Sequence, residues 1–148
     1  MKTSAKGIAL IKHAEGFAPT PYFCPARKRT IGYGHVILPG EEFPSHITED
    51  EATDLLIKDL AERFEPVVNK LVTVDLTQGQ FDALAAFVFN VGAKDFKSST
   101  LLKKLNDGDY EGAANEFGRW IFGGGKKLTG LVERRSDEKE LFMEGGIQ

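Results

Sequence analysis

The sequence predicts an α+β fold, with a small antiparallel sheet leaning on a larger helical body. Two observations carry this. Prolines at 19, 21 and 25 break a run that ends in Gly32-Tyr33-Gly34-His35. Residues 17–38 therefore suit short strands and turns, because each proline fixes its own φ and restricts the residue before it. Before and after that run, apolar residues keep helical spacing almost throughout. A two- or three-stranded sheet of this size is too small to stand alone, so it needs the helices beside it.

Length and composition set the outer bounds. A chain of 148 residues fits one domain, or two tightly joined lobes. It buries enough surface for a core without a staple. The net charge of −3 argues against a whole-surface nucleic-acid binder, and no nucleic-acid partner is expected. Cys24 is the single cysteine, so no internal disulfide can form. No apolar run reaches the roughly 18 residues of a membrane span, and no membrane insertion is expected. The opening MKTSAKGIALIKHAEGF reads as a helix, not a signal peptide, because its apolar run is short and no A-x-A-like site follows.

The elements follow in order. Ile8, Ile11 and Ala14 share one face of a first helix, with Ser4 or Thr3 able to cap it and Gly16 ending it. Glu15 then falls on the last turn, where a carboxylate opposes the helix dipole and needs a partner or a task. Tyr22-Phe23 and Thr30-Ile31 with Tyr33 suit strands, joined by the polar turn Ala26-Arg27-Lys28. Thr48 opens a capping box with Glu51. Helical spacing then runs from Ala52 to Leu71, with Pro66 inside it to kink or split the helix. Thr77 and Gln80 form a second capping box before Phe81, Leu84, Ala85, Val88 and Phe89. That segment is apolar nearly all round and reads as the central buried helix. Ser98 or Ser99 caps a short helix, and Asp109 caps the next. Gly123 to Lys127 reads as a flexible basic loop, and a final helix spans about Gly130 to Met143. The expected division is a sheet lobe over about 16–47, a connecting helix over about 48–71 and a helical lobe over about 72–148. The N-terminal helix should pack on the last of these.

Candidate chemistry concentrates between Glu15 and His35. Burial of Glu15 beside Ile11 and Phe17 would raise its pKa and make it a proton donor; the ordinary alternative is a solvated helix-end carboxylate. Cys24 is either a small buried apolar residue or, with His35, a nucleophile. Thr30 is also accounted for by strand propensity, and His35 by a turn edge. Gly123 to Lys127 lacks phosphate-loop spacing.

The pieces gain weight together. Glu15, then Cys24, then Thr30-Ile31-Gly32-Tyr33-Gly34-His35 closely resembles the phage-type lysozymes, or endolysins, of glycoside hydrolase family 24 (the T-even and lambdoid phage group). The resemblance recurs in Phe89-Asn90-Val91-Gly92, Ser98-Ser99-Thr100-Leu101-Leu102, Gly108-Asp109-Tyr110, Gly118-Arg119-Trp120 and Gly130-Leu131-Val132-Glu133-Arg134-Arg135, and so covers nearly the whole chain. It implies a lysozyme-like fold with a cleft between the lobes. The implied activity is cleavage of the β-1,4 bond between N-acetylmuramic acid and N-acetylglucosamine in peptidoglycan.

In that pattern Glu15 is the general acid. Cys24 stands where the family usually has Asp, and Thr30 matches the family threonine. Gly34 and His35 match the cleft floor; Asn90, Arg119 and Trp120 match stretches that line or support the cleft. Arg134 matches an arginine packed against the acid. Glycoside hydrolysis needs a proton donor on one side of the bond and a second group opposite, which agrees with a helix-end acid facing a small sheet. With cysteine in the Asp position, three roles stand open: a thiolate base or electrostatic stabiliser, a direct nucleophile, or a packing residue beside a water-positioning Thr30. The family generally inverts, and inversion is expected here. The resemblance also implies no metal, no organic cofactor, a monomer, and a protein made in the host cytoplasm that reaches the wall through a separate holin. Rival readings are a Cys24–His35 peptidase or amidase, a non-catalytic wall-binding module, and a lytic transglycosylase leaving 1,6-anhydro ends.

Overall fold

The first helix, α1 (Ala5–Glu15), ends at Gly16, whose φ of 73° is open to glycine at little cost and whose N–H closes the last turn on Lys12. In this computed structural model, which describes residues 1–144, Ser4 sits at the N-cap position but its side chain does not cap. The Ser4 hydroxyl instead donates to Asp82, and the Ser4 N–H reaches the same carboxylate at 2.8 Å. Gly7 makes this approach possible, since a Cβ there would lie 2.8 Å from that of Asp82. The start of α1 is therefore tied to the central helix.

Three antiparallel strands follow, β1 (Ala18–Phe23), β2 (Arg29–Gly32) and β3 (His35–Val36), in the order β1-β2-β3. β1 lies at an edge, where Pro19 and Pro21 remove no interior ladder bond, and the pairing is irregular between Ala18 and Tyr22. The β1–β2 turn places Pro25 just after Cys24. The Arg27 N–H donates to Cys24 O at 2.7 Å, and the Cys24 N–H donates to Lys28 O at 3.0 Å. This is a three-residue hairpin loop whose last residue, Arg27, is left-handed at φ 61°.

The sheet rests on α2 (Glu49–Asp59), which starts at the expected Thr48–Glu51 capping box. The helix continues through a π turn (Leu60–Phe64) into α3 (Glu65–Leu71). Pro66 explains the widened turn. It offers no N–H to residue 62 and its ring crowds that carbonyl, so the turn before it opens instead of breaking.

α4 (Gln78–Val91) starts at the Thr77–Gln80 capping box and is buried continuously from Gln80 to Val88, with α1, α3 and the C-terminal helix against it. Phe87 anchors the core through edge contacts to Phe96, Phe117 and Trp120 at 5.3–6.3 Å. Three short helices complete this side: α5 (Ala93–Lys97), α6 (Thr100–Asn106), capped by Ser99, and α7 (Tyr110–Glu116), capped by Asp109. The expected flexible loop at 123–127 is instead a small hairpin, β4 (Phe122–Gly123) paired with β5 (Lys126–Lys127). Gly124 and Gly125, at φ 58° and 80°, supply the two positive φ values that a tight hairpin turn requires. The last helix is α8 (Thr129–Met143). No helix among the described residues is long and apolar enough to cross a membrane.

Arg27 is exposed and holds a conformation that costs a non-glycine residue about 1–2 kcal/mol. Allowing for the extra chain entropy of glycine, Arg27→Gly should stabilise the protein by about 0.5–1 kcal/mol. Urea denaturation will show this as a higher midpoint at unchanged slope.

Candidate active site

The end of α1 places Glu15 against the sheet. A Cβ on Gly34 would lie 2.7 Å from Glu15 Oε1 and 3.3 Å from the Phe89 ring, so only glycine leaves room for this carboxyl between the β2–β3 turn and α4. Gly34 also holds φ 78°, a second reason for glycine. The partner that a helix-end carboxylate needs is Arg134 of α8. Its Nη1 donates to Glu15 Oε2 at 2.6 Å, while its Nη2 donates to Ala86 O at 3.0 Å and its Nε to Glu138 Oε2 at 3.2 Å. Arg134 is 5% exposed and Glu15 20%, so the carboxyl keeps one path to solvent.

The sheet brings Cys24 and Thr30 together. The Thr30 hydroxyl donates to Lys28 O at 2.9 Å. The Cys24 thiol lies below its ordinary range because the Lys28 backbone N–H stabilises the thiolate against the opposing effect of burial. Tyr22 pairs with Thr30 across the strands and falls on the same face as Cys24. Its phenol is pushed up by burial first, then by the negative charges of Glu15 and Cys24, so it stands close to both groups.

A family model described as phage lysozyme matches residues 12–138. The chain belongs to the phage lysozyme family. It is 45% identical to the endolysin of Bacillus phage B103 over 147 residues, covering 98% of this chain and 55% of that protein. It is 42% identical to the endolysin of Acyrthosiphon pisum secondary endosymbiont phage 1, covering 96% of this chain and 98% of that one. The chain thus spans about half the length of the first relative and nearly all of the second. Among solved structures, the muramidase domain of SpmX from Asticaccaulis excentricus superposes with a TM-score of 0.86 at 36% identity, covering 96% of this chain and 97% of that one. A P22 lysozyme mutant superposes with a TM-score of 0.86 at 35% identity, covering 97% and 99%.

The remaining residues singled out in the sequence differ in their settings. Asn90 Oδ1 accepts from Arg135 Nη2 at 2.6 Å, which links it to the neighbour of Arg134. Trp120 is half-buried with its edge against Phe87. Arg119 is 76% exposed, and its Nε pairs with Glu116 at 2.9 Å, not with Glu15. His35 corrects an expectation. It is 4% exposed, with Nδ1 2.7 Å from Asp59 Oδ2 and Nε2 2.9 Å from Glu41 Oε1. Both ring nitrogens are engaged, so His35 has none to offer a sugar. The Cys24–His35 dyad is not formed. His35 braces the sheet on α2.

Tyr22, Arg135 and Glu138 were not expected at the site. Alternation along β1 puts Tyr22 and Cys24 on one face and could have identified the tyrosine. One group of donors among the described residues is close enough to hold a metal ion: His13, Glu133 and Asp137, within 4.8 Å of one another at the surface. There His13 already pairs with Glu133 at 3.5 Å.

The His35 cluster sets a pH dependence. Burial disfavours the charged ring, but hydrogen bonds and charge from Asp59 and Glu41 outweigh it and raise the His35 pKa above 6.5. Burial likewise opposes ionised Glu41, yet the Leu38 N–H and His35 win and lower it below 4.5. The histidine contribution is complete below about pH 6.5 and fades as pH rises through the raised value. The Glu41 contribution is complete above about pH 4.5 and fades as pH falls through the lowered value. His35→Asn should therefore cost most between these limits, about 3 kcal/mol by analogy with broken buried pairs, and progressively less as pH rises through the raised histidine value. Chemical denaturation of both proteins across pH will read the difference.

Proposed function

We propose that this phage lysozyme hydrolyses the β-1,4 bond between N-acetylmuramic acid and N-acetylglucosamine in peptidoglycan, with Glu15 as general acid and Cys24 and Thr30 opposite. The observation that carries the reading is the setting of Glu15: a carboxyl one-fifth exposed, wedged on Gly34 and held by Arg134. The names of its relatives support it, since these are endolysins and a muramidase domain.

The chemistry follows from the two sides. Glu15 gives its proton to the leaving glycosidic oxygen as the bond to the anomeric carbon breaks. Water attacks that carbon from the sheet side, and its proton passes to the Cys24 thiolate. The lowered Cys24 pKa, set by the Lys28 N–H, favours the thiolate relative to an ordinary thiol. Because Thr30 spends its hydrogen on Lys28 O, its oxygen lone pairs are free to accept from the water. The charged oxocarbenium-like state then sits between a carboxylate and a thiolate. Solvent finally returns a proton to Glu15 and takes one from Cys24.

On this reading the chain is one lysozyme domain, its sheet lobe at about 16–47 joined by the helix at about 48–71 to a helical lobe from about 72. Gly34 forms the cleft floor, Asn90 and Trp120 support the sugar chain from α4 and the 118–120 turn, and exposed Arg119 meets it as a free cation end. His35 serves the floor from beneath. The protein acts as a monomer on glycan strands, made in the host cytoplasm and admitted to the wall through a separate holin.

Mass spectrometry of fragments released from purified peptidoglycan tests the acid. The wild type should yield new reducing-end N-acetylmuramic acid, and Glu15→Gln should lower that yield by about 10²–10⁴. Free amino ends would indicate a peptidase or amidase, anhydro ends a transglycosylase, and no release a binding module.

Cys24 gives two further readings. It should react with iodoacetamide faster than an ordinary thiol at pH 7, with activity falling in step, and full activity after complete alkylation would remove it from the reaction. Proton NMR of the first-formed product should show the α anomer; a retained β anomer would mean direct attack by sulfur.

A further inference from the structure

Three charged residues on one stretch of α8 are withdrawn from water: Arg134, Arg135 and Glu138, at 5%, 1% and 0% exposure. Two guanidiniums against one carboxylate leave a net positive charge, which a buried cluster holds at a cost unless another anion completes it. Glu15 is the carboxyl group that lies beside it. Glu138 joins the two arginines. Its Oε2 accepts from Arg134 Nε at 3.2 Å and Arg135 Nη2 at 3.4 Å. Its Oε1 lies 2.8 Å from Arg135 Nε, an ion pair not aimed along a hydrogen bond. The arginines then reach apart, Arg134 to Glu15 and Arg135 to Asn90, with Arg135 over the Phe87 ring at 5.0 Å.

We propose that Glu138 is a positioning residue for the reaction: it fixes Arg134 on the Glu15 carboxyl and offsets the guanidinium charge, so that Glu15 keeps the proton it must donate. A guanidinium 2.6 Å from a carboxyl favours the ionised form, which is the wrong form for an acid. A second carboxylate on the far side of the same guanidinium weakens that pull. The geometry divides Arg134 for this purpose, with Nε toward Glu138 and Nη1 toward Glu15.

Other titratable groups face this set. α8 adds Asp137 and Glu133, the latter paired with His13 of α1 beside Arg134; the sheet adds Cys24 and Tyr22 toward Glu15; α4 contributes the Ala86 carbonyl and the Asn90 amide. On α7, Glu116 is taken up by Lys104 and Arg119. Burial pushes Glu138 up to about 7 against the pull of both arginines, and burial brings Arg135 down to about 10. The offset is therefore complete only above neutral pH, in the range where a general acid is most easily lost.

The inference rests on Glu15 as the acid. Its test is kcat and KM on soluble peptidoglycan fragments across pH, for wild type, Glu138→Gln and Glu15→Gln. In Glu138→Gln, kcat at pH 8 should fall about tenfold with KM within about twofold, and the alkaline limb should move down by about half to one pH unit. Below about pH 7 the profiles of Glu138→Gln and wild type should run parallel. A loss that is only structural would lower activity without moving the limb. A Glu138→Gln protein that is folded by near-UV circular dichroism, with the wild-type kcat and limb, would overturn the proposal.

Should that variant not fold, the Arg135→Met, Glu138→Leu pair removes one charge of each sign and the Arg134 Nε anchor together. Its kcat should fall about tenfold with KM within about twofold, whereas Arg135→Met alone, which keeps Glu138 on Arg134, should recover most of that fall; a wild-type kcat in the pair, or an equal fall in Arg135→Met, would overturn the proposal. An active Glu15→Gln would instead dismiss the acid itself, which separates failure of the two readings.

Discussion

The Glu15–Arg134 pair is the constraint around which this chain is arranged. It joins residues 119 apart in sequence, at the last turn of α1 and inside α8. A carboxylate at a helix C-terminus meets the negative end of the dipole, so α1 alone would not hold it there. The chain answers with a guanidinium from the opposite end of the sequence. That guanidinium is kept in place by the Ala86 carbonyl of α4 and the Glu138 carboxylate. The central helix, the last helix and the sheet turn at Gly34 therefore converge on one carboxyl. Displacing any of them alters its contacts.

A second polar anchor holds the sheet. Three short strands supply little buried surface, and His35 compensates by clasping Asp59 of α2 and Glu41 of the following loop. Ile31 beside it is fully buried. The floor under Glu15 thus depends on a charged cluster as well as on apolar packing. The sheet and the Glu15 carboxyl share one support, since Gly34 is the residue between Tyr33 and His35 that approaches Glu15.

Much of this was legible in the sequence, and the exceptions have physical reasons. Capping boxes at Thr48 and Thr77 are local signals that tertiary packing seldom overrides, and both formed. Glu15 was legible because a carboxylate on a last turn needs explaining. His35 misled because its partners lie 6 and 24 residues away and come from different elements. Ser4 misled because a buried carboxylate on α4 competes for its hydroxyl better than its own helix does. The Gly123–Gly125 run looked flexible, yet glycines with positive φ are also what a tight hairpin needs. Arg135 and Glu138 were hardest to see. Charges three and four apart on a helix read as a solvated face, and α8 carries such charges on the side it buries.

The prolines of β1 have a consequence beyond turn geometry. An open strand edge offers unpaired N–H and C=O groups to any other chain. Here the two outer strands of the sheet are β1, which carries Pro19 and Pro21, and β3, which is two residues long. One edge loses two donors to proline and the other is short. This sheet therefore offers neighbouring copies a poor template for strand-to-strand pairing.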